Sequence, residues 1–490
     1  MAIFYKAAPK HKTLKSFIGT CSDLDLHGRG VVKAQDKTWF VANLLPGEEA
    51  QLQPENVKAQ SGTARVLKLL KVSTLRRPSD CPHAVRCGGC SLQHLPPQEA
   101  LRSKLEGICR LFKKNCSLDL GTPNFVEHGN ELGYRRACRL AVRFNHGQVE
   151  LGFRGKFSHE IEAIDSCKVL TPRLNALLPK LGSVLNALKL KRRLGHVELI
   201  DSDGAVGLLI RFTAIMPHED ENLLKAFGED EQLVIAVQEP TAAALAKIKQ
   251  ETQQAVKRMP ASRRRKDTLS IASNTLTTDE VAALLGMEQA ETTERIITSN
   301  ASELYLQNGN CRLNFLPSAF VQVNRQMNER MLAQVKAAVE PYMHTHATVL
   351  DLFCGLGNFS FALASQGAKV VGVDVVKSMI ERAQSNAQVA GLTAMKFVTA
   401  NLEEEFEQQS WAKQSYAVAI LDPGRAGAKR ATCFLSKLKP ELIVMISCNP
   451  LAASRDSVEL LQAGYKLQSW GVVDMFPRTA HIELMLVFKK

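Results

Sequence analysis

Twelve cysteines lie among the 490 residues, and two sets stand where thiol chemistry could be done. Cys448 closes "LIVMISC", where six residues of strand-like sequence break at Asn449 and Pro450. A structural thiol normally lies inside such a strand. One at the open end can meet a ligand and act as a nucleophile once its pKa is lowered. Downstream, "DMFPRTAHIELMLVF" embeds Glu483 in an otherwise apolar strand. A carboxylate there is costly unless used, and it would suit a general base. The second set is Cys81, Cys87 and Cys90, in "CPHAVRCGGCSLQH", with C-x5-C-x2-C spacing and no fourth ligand nearby. Cys167, in "EAIDSCKVL", is the best candidate for the fourth, with Cys109, Cys116 and Cys138 as rivals. Three close thiolates and one distant fit an iron–sulfur site better than a zinc ribbon, which would supply two C-x-x-C knuckles. The Gly88-Gly89 pair frees backbone amides to approach the sulfurs. Burial without any metal is the bland alternative.

These residues need elements to position them. From about 345 onward, apolar strands "ATVLDLF", "AKVVGVD", "YAVAILD" and "ELIVMIS" alternate with helical stretches such as "SMIERAQSNAQVA" and "AASRDSVELLQAG". Near-continuous apolar strands separated by helices predict a parallel, doubly wound sheet. Ligands then bind outside the carboxyl ends of the strands, and all four strands end in a motif: "DLFCGLGNFS", "GVD", "LDPGRAGA" and "SCNP". Gly355 and Gly357 lie in the first strand-to-helix turn, and Asp374 ends the next strand at about the spacing that holds a ribose. The turn is not G-x-G-x-x-G, and Asp351 precedes its glycines, so S-adenosylmethionine suits it better than a dinucleotide. Asp422 could accept hydrogen bonds from a heterocycle or a cofactor amine, while Arg425 reads equally well as a structural salt bridge.

Upstream, residues 14 to 72 carry five short strand-like segments punctuated by glycines and Pro46-Gly47, which predicts a small β-barrel. Residues 134–255 mix strands ("RRACRLAVRF", "QVELGFR", "HVELIDSDGAVGLLIRF", "QLVIAVQ") with helices ("PRLNALLPKLGSVLNALKLK", "PTAAALAKIKQETQQAVKRM"), an α+β pattern. The expected architecture is multidomain: an OB-like barrel over 1–75, a central α+β domain with a metal cluster over 76–310, and an α/β Rossmann-like domain over 311–490.

Hydrophobic content of 45% with 23% charged residues describes a soluble globular protein. No apolar run approaches the roughly 18 residues that span a bilayer, and "MAIFYKAAPKHKTLKS" lacks the apolar core of a secretory signal, so a cytoplasmic location is expected. A framework of disulfides is not expected there. The net charge of +13 points to a polyanion partner. Its clusters are Lys189, Lys191, Arg192 and Arg193; Arg263, Arg264, Arg265 and Lys266; and Arg135, Arg136, Arg139 and Arg143, the last interleaved with Tyr134 and Phe144.

Thiol, carboxylate and methyl donor at one strand edge form the set one reaction requires. C5 of uracil is a poor nucleophile towards a methyl sulfonium. Thiolate attack at C6 makes C5 an enolate carbon, and a base must then remove the C5 proton so that the thiolate can leave.

In this order, "FVQVN", "DLFCGLGNFS", "VVGVD", "LDPGRAGA", "VMISCNP" and "DMFPRTAHIE" resemble the RNA uracil-5 methyltransferases. With the barrel (resembling a TRAM domain) and the cysteine cluster, nearly the whole chain is similar to members that act on 23S ribosomal RNA; tRNA-directed members lack both additions. The resemblance implies Cys448 as nucleophile and Glu483 as base. It implies S-adenosylmethionine contacts from Gln322, Phe353, Asn358, Asp374, Asn401 and Asp422. It further implies a four-iron four-sulfur cluster on Cys81, Cys87, Cys90 and Cys167, here expected to be structural and to order the RNA-binding domain. The target uridine would be flipped out or lie in an opened loop, and the protein would act as a monomer without an obligatory protein partner. One departure is Gly424, where the family usually has alanine or proline. The rival readings are the same chemistry on another rRNA or tRNA uridine, and a non-catalytic iron–sulfur RNA-binding factor.

Overall fold

The computed structural model describes residues 15–156, 158, 160–244, 246, 292–344, 347–365 and 367–490. The Arg263–Lys266 run and most of the helix expected over 241–259 lie outside the described residues.

In Phe17–Leu24, buried and exposed residues alternate, as they must when one face of a strand points into a barrel. Five strands close on themselves in the order Phe17–Leu24, Gly30–Ala34, Lys37–Val41, Ser61–Lys71 and Glu49–Val57. Trp39 fills the interior with Cys21, Val32, Val41, Leu44 and Leu52. The expected barrel is present.

The central unit is a seven-stranded sheet, ordered Thr292–Ile296, Leu233–Pro240, Val206–Phe212, Leu194–Asp201, Ala137–Asn145, Gln148–Arg154 and Ile161–Ala163. The run "HVELIDSDGAVGLLIRF" is two antiparallel strands, because the polar Ser202–Gly204 segment turns the chain. Helices Pro172–Ala187 and His218–Asp230 cover the sheet through Leu174, Leu178, Leu181 and Leu224.

The C-terminal unit is an eight-stranded sheet, ordered Met395–Thr399, Lys369–Asp374, Thr348–Leu352, Val418–Leu421, Leu442–Ser447, Glu483–Lys489, Lys466–Val473 and Phe125–Glu127. The first five strands are parallel. Their near-continuous apolar sequence follows from burial on both faces: Leu350 and Leu352 point into one apolar cluster and Val349 into the other. The chain order of the strands reverses between Thr348–Leu352 and Val418–Leu421, which opens a crevice at their carboxyl ends. Two pieces arrive from far upstream. Phe125–Glu127 adds the edge strand, and helix Pro97–Cys116 packs Ile108 and Phe112 into the core of this sheet. Among the described residues no helix is long and apolar enough to cross a membrane.

Gly152 shows how tightly the central sheet is drawn towards the cysteine loop. A Cβ there would lie 1.9 Å from the Glu162 carbonyl oxygen, and the Glu162 carboxylate in turn holds His83 at 3.0 Å and Arg86 at 2.8 Å. Gly152→Ala must push strand Ile161–Ala163 away, so it should lower stability by about 2 kcal/mol. Urea unfolding would measure this, and an unchanged midpoint would contradict it.

Candidate active site

Register explains why Cys448 and Glu483 meet. Glu483–Lys489 runs antiparallel to Leu442–Ser447, with Leu484 opposite Ser447. The next step of that register puts Glu483 beside Cys448. Glu483 is thus the first residue of its strand rather than one embedded within it, and the reversed direction brings it to the same edge as the parallel strand ends. Beyond Cys448, Asn449 caps helix Pro450–Gln462 by accepting from the Leu451 amide at 3.1 Å, and Pro450 takes the first helical turn. The strand is stopped by a helix cap, which leaves Cys448 half-buried at the break.

The same helix grips the Asp422 loop. Asn449 Nδ2 donates to the Arg425 carbonyl at 2.8 Å, Arg455 donates to the Ala426 carbonyl at 2.9 Å, and Asp456 accepts from the Ala428 amide at 2.6 Å. Gly427 has φ 86°, and a Cβ there would lie 2.5 Å from Asp456, so glycine is needed on both counts. The exposed Gly424 meets no such limit, since a Cβ there would find nothing within 4 Å.

Electrostatically the mouth is crowded with carboxyl groups. Burial pushes Glu483 up to about 7, against the pull of Arg425. Its side chain has no hydrogen bond among the described residues. Burial, then Glu483 and Asp351, hold Asp422 well above the usual carboxylate range. Asp351 is completely buried and is pushed up to about 7 by burial; Ser360 donates to one of its oxygens at 2.6 Å, and the other has no hydrogen-bond partner among the described residues. Cys448 is raised to about 11 by burial and then by Glu483 and Asp422, with Arg425 opposing. Arg425 is exposed and its charge opposes the rise of both Cys448 and Glu483, and, against the alternative of a structural salt bridge, no carboxylate pairs with it among the described residues.

The glycine turn is built as a cradle. Phe353, Gly355 and Gly357 all have positive φ, at 64°, 55° and 85°. Asp374 latches the turn to the second strand, accepting from the Gly355 amide at 3.0 Å and the Val376 amide at 2.9 Å. Asn358 exchanges two amide hydrogen bonds with Asn328, at 2.8 and 3.1 Å. Asn401 accepts from the Glu403 amide at 3.0 Å just after the third strand, and Gln322 is half-buried in the segment before helix Arg325–Val339.

Away from this edge, Cys81, Cys87, Cys90 and Cys167 come together despite their separation in sequence. Burial, then Cys167 and Cys81, push Cys87 up; burial, then Cys167 and Cys87, raise Cys90 to about 12; and burial, with Cys81 contributing, raises Cys167. Gly89 donates its amide to the Cys87 sulfur at 3.4 Å. Among the described residues no group of three or more His, Cys, Asp or Glu is arranged to hold a metal ion. A tetrahedral zinc would draw its thiolates to within about 4 Å of one another; a four-iron cube spreads them further apart. Of the rival thiols, Cys109 and Cys116 pack against the core of the eight-stranded sheet. Cys138 is buried in the core of the central sheet.

The basic strand surface is largely paired. Arg139 meets Glu198 at 2.7 Å, Arg143 meets Glu150, and Lys189 meets Glu219 at 3.2 Å. Arg136 is 6% exposed, lies 3.6 Å from Asp203 and leaves two nitrogens without hydrogen bonds among the described residues, beside a cavity of about 470 Å³ that Tyr134 and Asn324 also line.

Residues 292–490 match the family model described as tRNA (Uracil-5-)-methyltransferase. Over its full length the chain is 35% identical to the 23S rRNA (uracil(1939)-C(5))-methyltransferase RlmD of Edwardsiella ictaluri, covering 99% of that protein. It is 33% identical to the RlmD of Tolumonas auensis, with both chains covered completely. The chain belongs to the RNA uracil-C5 methyltransferase family. It is a one-carbon transferase. The crystal structure of Pyrococcus abyssi tRNA (uracil-54, C5)-methyltransferase in complex with S-adenosyl-L-homocysteine shares its fold, with a TM-score of 0.66 at 20% identity over 96% of this chain and 100% of that one.

Sequence reasoning singled out Cys448, Glu483 and Asp422 but passed over two features of this methyltransferase. Asp351 gave a signal, an acid in an apolar strand, that was read only as part of the cofactor turn. Arg478, 3% exposed, gave none, because its partners Asp80 and Glu131 lie about 350–400 residues away.

The Glu483 carboxyl makes a checkable demand on stability. Its folded pKa of about 7 exceeds the ordinary 4.5, so the unfolded chain loses this proton first. Native stability therefore falls as pH rises from 4.5 through 7. Glu483→Gln, which cannot ionise, should be more stable than wild type by up to about 3 kcal/mol at pH 8, with the gap closing near pH 5. Urea unfolding at both pH values measures it, and a pH-independent difference would sink the assignment of a neutral buried carboxyl.

Proposed function

We propose that the chain methylates C5 of a uridine in 23S ribosomal RNA, with S-adenosylmethionine as donor and through a covalent adduct of Cys448. One observation carries this reading: the register sets a half-buried thiol beside a buried carboxyl that has no hydrogen bond among the described residues, at the mouth of the crevice beside Asp422. Full-length similarity to proteins named for 23S rRNA supports the substrate.

Cys448 rests as a thiol, because burial and its acidic neighbours oppose the thiolate. A cation bound against Asp422 offsets those charges and draws the thiol pKa down. The thiolate then bonds to C6, the C5–C6 π pair moves into an enolate, and C5 takes the methyl group. When bound, S-adenosylmethionine supplies that methyl as a sulfonium electrophile. Glu483 removes the C5 proton, the C–H pair re-forms the C5–C6 double bond, and the C6–S bond breaks with the thiolate leaving. A carboxyl near 7 is well matched to this transfer at neutral pH.

Asp374 and Asn358 serve the donor by holding the turn in shape, and Asp374 keeps lone pairs for ribose hydroxyls. Phe353, Gln322, Asn401 and Asp422 complete the donor site. Three raised carboxyls favour a cationic donor over an anionic dinucleotide. Cys81, Cys87, Cys90 and Cys167 would hold a four-iron four-sulfur cluster, and the Gly89 amide on Cys87 suits a cluster sulfur. Its contribution there is structural. The barrel, of TRAM type, and the basic central sheet would hold the RNA with the target base flipped out, in a cytoplasmic monomer.

Two experiments test this. Wild type should form an SDS-stable adduct with 5-fluorouridine RNA, in which no C5 proton can be removed. Cys448→Ala should give neither adduct nor methyl transfer, and retained turnover would refute the covalent route. Separately, S-adenosylmethionine binding at pH 7 should release protons as the raised carboxyls ionise against its charge, and the neutral S-adenosylhomocysteine should release fewer. Calorimetry in buffers of different ionisation enthalpy measures this; equal release would remove the electrostatic argument for the donor.

A further inference from the structure

Glu483 owes its position to backbone alone, since no hydrogen bond holds its carboxylate among the described residues. The backbone leading into it, from Asp474 to Ile482, is neither helix nor strand. What fixes that segment comes from elsewhere. Arg478 donates both terminal nitrogens to Asp80, at 2.7 and 3.1 Å, and its Nε to Glu131 at 3.2 Å. Arg77 holds Glu131 from the other side at 2.9 Å. The Arg478 carbonyl accepts from the Leu92 amide at 2.9 Å, and the Ala480 amide donates to Ser91 Oγ at 3.3 Å. Asp80, Ser91 and Leu92 bracket Cys81, Cys87 and Cys90. Leu92, Leu95 and Ala480 also share one apolar cluster with Leu24 and Leu45 of the barrel.

We propose that Arg478 is a positioning residue for Glu483, and that through it the cysteine loop acts on proton abstraction rather than on RNA capture alone. This rests on the function proposed above. A bidentate guanidinium–carboxylate pair fixes orientation as well as distance, which a lysine cannot reproduce. The Glu483 carboxylate must meet a proton on C5, and displacing a catalytic group by about 1 Å can lower the rate about 100-fold.

The order of steps gives a readout that a purely structural role would not move. Attack by Cys448 and methyl transfer precede the use of Glu483, so misplacing the base stalls the enzyme as a methylated covalent adduct. Arg478→Lys should lower kcat about 10–100-fold, change KM for RNA by less than about threefold, and accumulate SDS-stable adduct on ordinary RNA. Ser91→Ala deletes one hydrogen bond to Ala480 without disturbing a charge, so it should show the same pattern more weakly even if Arg478→Lys folds poorly. A raised KM with kcat intact, or a lowered kcat without adduct, would overturn the proposal. Wild type on 5-fluorouridine RNA separates the failures. Without that wild-type adduct the covalent reading falls; with it, absence of adduct in the variants removes only the role of Arg478.

Discussion

The desolvation of Glu483 is the constraint on which the rest of the site depends. A carboxylate removed from water and given no hydrogen bond prefers to stay protonated, and its pKa rises until proton uptake and release balance near neutral pH. In the proposed reaction that same property suits it to act as base, because a carboxylate at its ordinary pKa would hold an abstracted proton too weakly. Asp351 and Asp422 are desolvated in the same way, and Glu483 and Asp351 add to the cost of ionising Asp422. Among the described residues Arg425 is the charge that opposes the rise of both Glu483 and Cys448, and the mouth is short of positive charge in its resting state. Under the proposed function a cationic donor relieves this, so its binding and the activation of Cys448 become parts of one electrostatic change.

Topology converts that local constraint into a site. Parallel strands deliver Asp374, Asp422 and Cys448 to one edge because each ends there, and the reversed order of strands opens the crevice between them. Glu483 reaches the edge by the opposite route, as the first residue of an antiparallel strand. The combination places a residue at a strand start beside one just past a strand end, in adjacent strands with nothing between. Helix Pro450–Gln462 then serves twice, since its cap breaks the strand after Cys448 and its Arg455 and Asp456 hold the Asp422 loop.

The sequence made legible what depends on local pattern. Apolar strands buried on both faces, the barrel's alternating segments and the positive-φ glycine turn all report themselves within a dozen residues. Cys448 was legible because Asn-Pro after an apolar strand has few structural meanings. Long-range pairing was less so. Nothing in "FVE" marks Phe125–Glu127 as the edge strand of a sheet that begins more than 200 residues later, and nothing in "QEALRSKLEGICRLF" separates a helix of the central unit from one packed on the C-terminal core. The arginines of "YRRACRLAVRF" looked free because their acidic partners lie on neighbouring strands. Glu483 was recognised as out of place, but its direction of approach required the antiparallel pairing.

The buried pair of Lys104 and Asp474 shows why such long-range contacts take a polar form. Burial lowers the Lys104 pKa and raises that of Asp474, so each group alone would become neutral. Together they stay close at 2.8 Å, and Lys104 also donates to the His481 carbonyl at 3.1 Å. Buried ion pairs are weak sources of net stability, and an apolar pair of similar volume would do as well or better. An apolar pair would tolerate sliding, however, whereas this one admits a single register between helix Pro97–Cys116 and the two ends of the segment that precedes Glu483. The Arg478 clamp acts on the middle of that segment in the same manner. Directional contacts at three points along nine residues of irregular backbone therefore supply what regular secondary structure does not, a defined position for the proposed base, whose carboxylate takes no hydrogen bond among the described residues.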